Sequence, residues 1–315
     1  MSQKPAHDDY SDRRSEATGR SEAASRLALP ALLVGAVAIA LSPIFVRLSE
    51  VGPSATAFWR VALALPVLIL LQLAAARRRG GRLLPQRTAD FGRLVLCGLL
   101  FAGDLAFWHW SIRLTSVANA TLFANFAPLI VTLASWLFLG QRFSRPFLVG
   151  LALALGGAWL LMGDSLNFAR DHIAGDALGI VTALFYGAYL ISVGILRGRF
   201  GTFAVMFWSS LFSALALIPV TVLSGESFLP ESAYGWAVLF GLGLICQAAG
   251  VSLITFALRH LATAYGAVSL MVQPIAAMVF GWLILSEAMR SGQMAAAAVV
   301  LAGILLASRR PPRLG

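Results

Sequence analysis

The sequence predicts an all-α integral membrane protein, ten transmembrane helices arranged as two inverted five-helix repeats with both termini in the cytoplasm. Three observations carry this prediction. Of 315 residues, 59% are apolar and 12% charged, with a mean hydropathy of +0.81, where a soluble domain is roughly one quarter charged. Apolar runs of helical length recur along the chain between short polar or Gly- and Pro-marked breaks. The chain also resembles itself at a shift of 146 residues.

The elements follow in order. Residues 1–26 (MSQKPAHDDYSDRRSEATGRSEAASR) carry no apolar core and lack the charged, apolar, small-residue order of a signal peptide, so they predict a disordered cytoplasmic tail. Helices 1 to 5 are centred near Ala38, Leu65, Asp104, Pro128 and Ala154 and make the first repeat, residues 27–163. Helices 6 to 10 are centred near Tyr186, Phe212, Gln247, Pro274 and Val300 and make the second, residues 174–308, before a basic cytoplasmic tail, 309–315. Most have about 20 residues, enough to cross roughly 30 Å of hydrocarbon at about 1.5 Å per residue. The fifth, about Phe147 to Met162, and the tenth, about Gln293 to Ser308, are shorter, which predicts upright helices or a locally thinned bilayer.

Charge sets the orientation. With the N-terminus inside, nineteen of the 24 basic residues fall on the cytoplasmic side and four (Arg47, Arg113, Arg170, Arg290) outside, while Arg60 lies within helix 2. Such a bias is what orients membrane helices. It also accounts for the net charge of +10 without nucleic acid, because the cationic surface faces anionic lipid headgroups. Cys97 and Cys246 both lie in apolar runs and read as small buried hydrophobes, leaving no disulfide framework and no metal site of CxxC spacing.

At the 146-residue shift, WSIRLTSVANATLFANFAPLIVTLASWLFLG from Trp110 falls on FALRHLATAYGAVSLMVQPIAAMVFGWLILS from Phe256, matching Arg113 with Arg259, Pro128 with Pro274 and Trp136 with Trp282. A weaker echo at 149 pairs Phe58 and Trp59 with Phe207 and Trp208. Five helices per copy is an odd number, so the second copy enters the membrane from the opposite side. Inverted repeats of this kind point to a secondary transporter, whose equivalent halves exchange conformations around a central site.

The segment ALSPIFVRLSEVGPSATAFWR, the mirrored NFAPL and VQPIA stretches, and LASWLFLG and FGWLILSE after them resemble the drug/metabolite transporter superfamily, with two EamA-type repeats covering about residues 27–308. The resemblance implies transport of a small metabolite and selects no single substrate. In that family an acidic residue usually follows the Trp-containing fourth helix of each repeat. Here the second copy has Glu287 and the first has Gln141, so a symmetric carboxylate pair is missing.

Polar residues within the spans are the candidate site. Asp104 is the one carboxylate near the middle of any span. An isolated aspartate there costs about 2.5–3.5 kcal/mol on insertion scales, so it faces the bundle interior or a wet cavity. It reads either as a proton-coupling or amine-binding group or as an aspartate bonded to a neighbouring helix. Trp108 is four residues on and shares its face, where an indole could add a cation–π contact. Asn125, Tyr186, Tyr189, Gln247 and Gln273 lie near mid-depth and read as lining one central cavity, each with interhelical bonding as its alternative. Ser213 belongs with them. Pro128 and Pro274 each remove a backbone hydrogen bond and are candidate hinges or static kinks. Arg60, near the outer end of helix 2, reads as a snorkelling arginine, with pairing to a substrate carboxylate at the outer mouth as its alternative. Phe107, Phe123 and Phe126 fit the wall of an apolar subsite.

The function expected is therefore secondary transport, outward, of a small organic metabolite such as an amino acid or related amphiphile, across the cell membrane, with proton coupling through Asp104. Uptake is the alternative, followed by a sensor or scaffold. An enzyme is disfavoured by the lack of HExxH, GxSxG, GxxxxGK[ST] or clustered His and Cys ligands. No cofactor or metal is expected. The partners expected are a small-molecule substrate and the bilayer, and the chain acts as a monomer or homodimer.

Overall fold

A computed structural model describes residues 26–79, 85, 87–115, 117–162, 170–285 and 291–309. The N-terminal tail up to Ser25, Glu287 and residues 310–315 lie outside these. Ten helices follow one another, with no strand among the described residues: α1 (Arg26–Leu48), α2 (Pro53–Arg77), α3 (Thr88–Leu114), α4 (Asn119–Leu139), α5 (Arg145–Leu161), α6 (Ile173–Leu196), α7 (Thr202–Leu223), α8 (Ala233–Leu258), α9 (Thr263–Ile284) and α10 (Ser291–Ser308). Nine are long and apolar enough to cross a membrane, and α5 is a shorter apolar helix.

Four of the ten are broken near their middles, each just before a proline. The turns fall at Ala40–Leu41 ahead of Pro43, Leu63–Ala64 ahead of Pro66, Asn125–Phe126 ahead of Pro128, and Leu270–Met271 ahead of Pro274. The reason is local: a proline lacks the N–H that would continue the ladder but is well suited to the first turn of a new segment. Pro219 stays inside an unbroken α7 near its end. A different irregularity marks α8, which is π-helical over Leu242–Val251, a winding usually confined to single turns.

The halves interleave rather than sit side by side. α3 packs on α6 and α7, α2 on α7, α4 on α9, and α5 on α10. Where backbones come closest the sequence supplies glycine: a Cβ at Gly303 would lie 2.5 Å from the Ala154 nitrogen and 2.6 Å from the Gly150 carbonyl oxygen, so the α5–α10 seam is backbone against backbone.

Polar ties close both ends of the bundle. At one end, Glu50 between α1 and α2 accepts bonds from the Ser232 hydroxyl and from the backbone N–H groups of Glu231 and Ser232, each at 3.1 Å. Beside it Glu226 Oε2 accepts from the Ala55 N–H at 3.0 Å. At the other end, Arg199 pairs with Asp90 at 2.9 Å, and Arg197 Nη1 donates to the Leu261 carbonyl at 2.7 Å. Loss of solvent at Arg197 lowers its guanidinium to about 10.

Two outcomes are expected. Gly303→Val should wedge α5 from α10 and cost about 1–3 kcal/mol, read as a lower unfolding temperature in detergent than Gly292→Val, a position where a Cβ meets nothing. The Ser232 hydroxyl, then the two backbone N–H groups, hold the Glu50 carboxyl below its ordinary range. A depressed carboxylate contributes its tie above the ordinary carboxylate range and loses it as pH falls through the lowered value. Hydrogen exchange at the Glu231 and Ser232 amides should thus be unchanged from neutral pH down to mild acid, after allowance for intrinsic rates, and lose protection only in stronger acid.

Candidate functional site

The breaks in α1, α4 and α9 surround one cavity of about 100 Å³, which α2, α3, α6 and α8 complete. On that measure one water occupies about 10–15 Å³, so the space suits several waters or a small solute. Its walls are mixed. Leu105, Leu190, Val193 and Ile254 are apolar, Phe101 and Tyr189 stack at 4.5 Å, and Trp108 adds an indole.

Six of the seven polar or aromatic residues expected at a central site line this cavity: Asp104, Trp108, Asn125, Tyr186, Tyr189 and Gln273. Pro128 and Pro274 lie at the two kinks that present Asn125 and Gln273 to it. The carbonyl of Leu270, which Pro274 leaves without its helical donor, is taken by the Gln273 N–H at 2.9 Å. Asn125 donates to the Thr121 carbonyl at 2.7 Å, and Thr121 Oγ1 and Gln273 Nε2 have no hydrogen-bond partner within the protein. Buried polar atoms without partners are costly, and these two line a space where a ligand or water can supply the bond.

Arg60 departs from the sequence reading. It is not at a headgroup surface but 5% exposed, inside the cavity wall. Its Nη1 donates to Ser42 Oγ at 2.9 Å, just past the α1 break, and its Nε to Gln247 Oε1 at 3.4 Å. Gln247 in turn donates to Ser210 at 3.2 Å. A guanidinium in hydrocarbon needs its donors paired, and the broken α1 and the π-helical α8 bring those acceptors to it. Gln247 therefore lies behind the wall as a holder of Arg60 and does not line the cavity. Asp104, 8% exposed, lines the same space and is the carboxylate close enough to act on Arg60 electrostatically.

The other residues singled out have structural partners. Ser213 donates to the Gly98 carbonyl at 2.7 Å and ties α7 to α3. Phe107 packs on Phe185 and Phe123 on Phe126, away from the lining. His109 is buried, its Nδ1 bonded to the Leu105 carbonyl at 2.6 Å, which places the proton on that nitrogen. Among the described residues no group of three or more His, Cys, Asp or Glu could hold a metal ion.

The pattern of the EamA-like transporter family matches the chain twice, over residues 26–163 and 173–309. The pseudopaline exporter of Pseudomonas aeruginosa is 23% identical over 216 residues, covering 69% of this chain and 74% of that protein. A probable terminal-alkyne amino-acid exporter of Streptantibioticus cattleyicolor is 24% identical over 225 residues, covering 71% and 75%. An uncharacterized transporter of Archaeoglobus fulgidus is 26% identical over 199 residues, covering 63% and 70%. A solved crystal structure superposes with a TM-score of 0.74 at 19% identity, covering 91% of this chain and 97% of its own, a likeness of fold.

Gln247→Leu keeps the volume but strands Arg60 Nε and removes the partner of Ser210. It should cost about 1–3 kcal/mol, the penalty for leaving a buried donor unmet, read as a fall in detergent unfolding temperature that Ser213→Ala does not match.

Proposed function

The chain belongs to the EamA-like transporter family, and from that premise we propose that it is a secondary transporter exporting a small zwitterionic metabolite, an amino acid or related amphiphile, across the cell membrane. The observation that carries this reading is the presence of both signs of charge in one cavity: Arg60 and Asp104 line it together. A guanidinium takes a carboxylate and an aspartate takes an ammonium, with Trp108 beside Asp104 able to add a cation–π contact. Each buried charge then serves as a docking point for its opposite. The apolar wall receives the side chain.

Two family repeats related by inversion, with both termini inside, supply the alternating access this reading needs. Asp104 is the group that exchanges a proton for the solute's ammonium, which couples flux to a pH gradient. Two of the relatives are named exporters, and this favours outward flux over uptake in a machine whose direction follows the gradient.

The test is solute flux in liposomes holding the purified protein under an imposed pH gradient, with a panel of labelled amino acids, their amides and their decarboxylated amines. A zwitterion should move and accelerate with the gradient. Arg60→Lys and Asp104→Asn should each weaken apparent affinity by about ten- to a hundredfold, the worth of one charged hydrogen bond. Amine transport that is indifferent to Arg60→Lys would refute the zwitterion, and flux indifferent to both variants would remove the cavity from the path.

A further inference from the structure

The polar ties at the two ends of the bundle are equivalent to one another. Glu50 stands two residues before Gly52, the residue that opens α2, and Arg199 two residues before Gly201, which opens α7. The spacing between Glu50 and Arg199 is the same 149 residues that aligns Phe58 and Trp59 with Phe207 and Trp208. Each residue reaches out of its own half to the start of the third helix of the other half. Glu50 binds Ser232, the residue that caps α8, and Arg199 binds Asp90 in the first turn of α3.

We infer that these are a matched pair of latches, one at each face, and that releasing one biases the cavity open toward that face. The inference rests on the alternating-access reading. Two features distinguish these contacts from static staples. They link the two halves at their rims, where Glu226 with Ala55 and Asp176 with Thr115 and Asn119 also cross between halves, while the α5–α10 seam is buried helix against helix. They face solvent: the bonds of Glu50 to Glu231 and Ser232 are exposed, and Arg199 is 51% open against 16% for Asp90. Exposed contacts of this kind are worth only about 0.2–1 kcal/mol, which suits a machine whose states must lie within a few kcal/mol of each other.

The Glu50 latch also has a built seat. A Cβ at Gly235 would meet the Glu50 carboxylate, and one at Gly52 would meet the Glu226 carboxylate, so each glutamate lies directly over a glycine of the opposing half. The chemistry of the two latches differs. Glu50 is held by neutral donors, whereas Arg199 and Asp90 form an ion pair that salt screens.

The test reads access to the cavity, so it needs no substrate. In full-length protein with Cys97 and Cys246 replaced by serine, Ala124→Cys reports from the cavity wall. Membrane-impermeant maleimide is applied to one face and then the other, in vesicles of known orientation. Glu50→Gln should raise labelling from the Glu50 face and lower it from the opposite face by about two- to fivefold. Arg199→Gln should do the reverse, and only its effect should be reproduced by raised salt. Arg199→Lys, which keeps the charge, should stay near the parent. Ser232→Ala is the second variant for the Glu50 end should Glu50→Gln fold poorly. Shifts in the same direction from both latches, or none from either, overturn the inference. Flux that persists while labelling stays unchanged removes the latches and leaves transport standing; opposite labelling shifts with no flux of any solute do the opposite.

Discussion

A guanidinium enclosed among apolar helices cannot turn its donors to bulk water, and the centre of this protein is arranged around meeting its needs. Arg60 takes an acceptor from the broken part of α1 and another from the π-helical part of α8. Each departs from the regular helical ladder, at the α1 break because Pro43 has no N–H to donate and in α8 by the wider π-helical winding. In hydrocarbon such departures are tolerated where the freed groups face protein or a wet cavity. The kinked helices, the cavity and the buried charge are thus one solution to one problem: the breaks make room for the charge and the acceptors that hold it.

The helix count was legible because composition alone separates lipid-facing segments from the breaks between them. The kinks at Pro128 and Pro274 were legible because proline acts locally, and Asp104, Trp108, Asn125, Tyr186, Tyr189 and Gln273 were legible as a group because polar residues deep in a span have few places to go. Arg60 was misjudged by distance. It is the eighth residue of α2, about 10 Å along the axis at 1.5 Å per residue, within reach of headgroups if the side chain turns outward, and only the packing of α1 and α8 decides that it turns in. Gln247 was misassigned for a related reason: its facing direction depends on a π-helical winding that a period of 3.6 residues does not describe. The breaks before Pro43 and Pro66 carry the same proline signal as those before Pro128 and Pro274.

The interleaving of the halves matters for how the cavity is built. Its wall draws on α1, α2, α3 and α4 from one repeat and on α6, α8 and α9 from the other, so neither half carries the site alone. Arg60 and Asp104 both come from the first repeat, whereas Tyr186, Tyr189 and Gln273 come from the second. Both charges are supplied from one side, together with Asn125 and Thr121, and only neutral hydrogen-bonding groups come from the other. The site is therefore chemically lopsided even though its framework is duplicated.

Only α5 and α10 contribute nothing to the wall apart from α7, and their seam is made of backbone pressed on backbone. Backbone contact of that kind at Gly150 and Gly303 leaves little room for repacking, unlike the aromatic and leucine contacts around the cavity. Stiffness is then unevenly distributed through the bundle, concentrated along one edge and relaxed toward the centre. That edge behaves as a keel, a fixed line against which displacements of the remaining helices can be measured, and it lets the interior be soft without the whole molecule losing its shape in the bilayer.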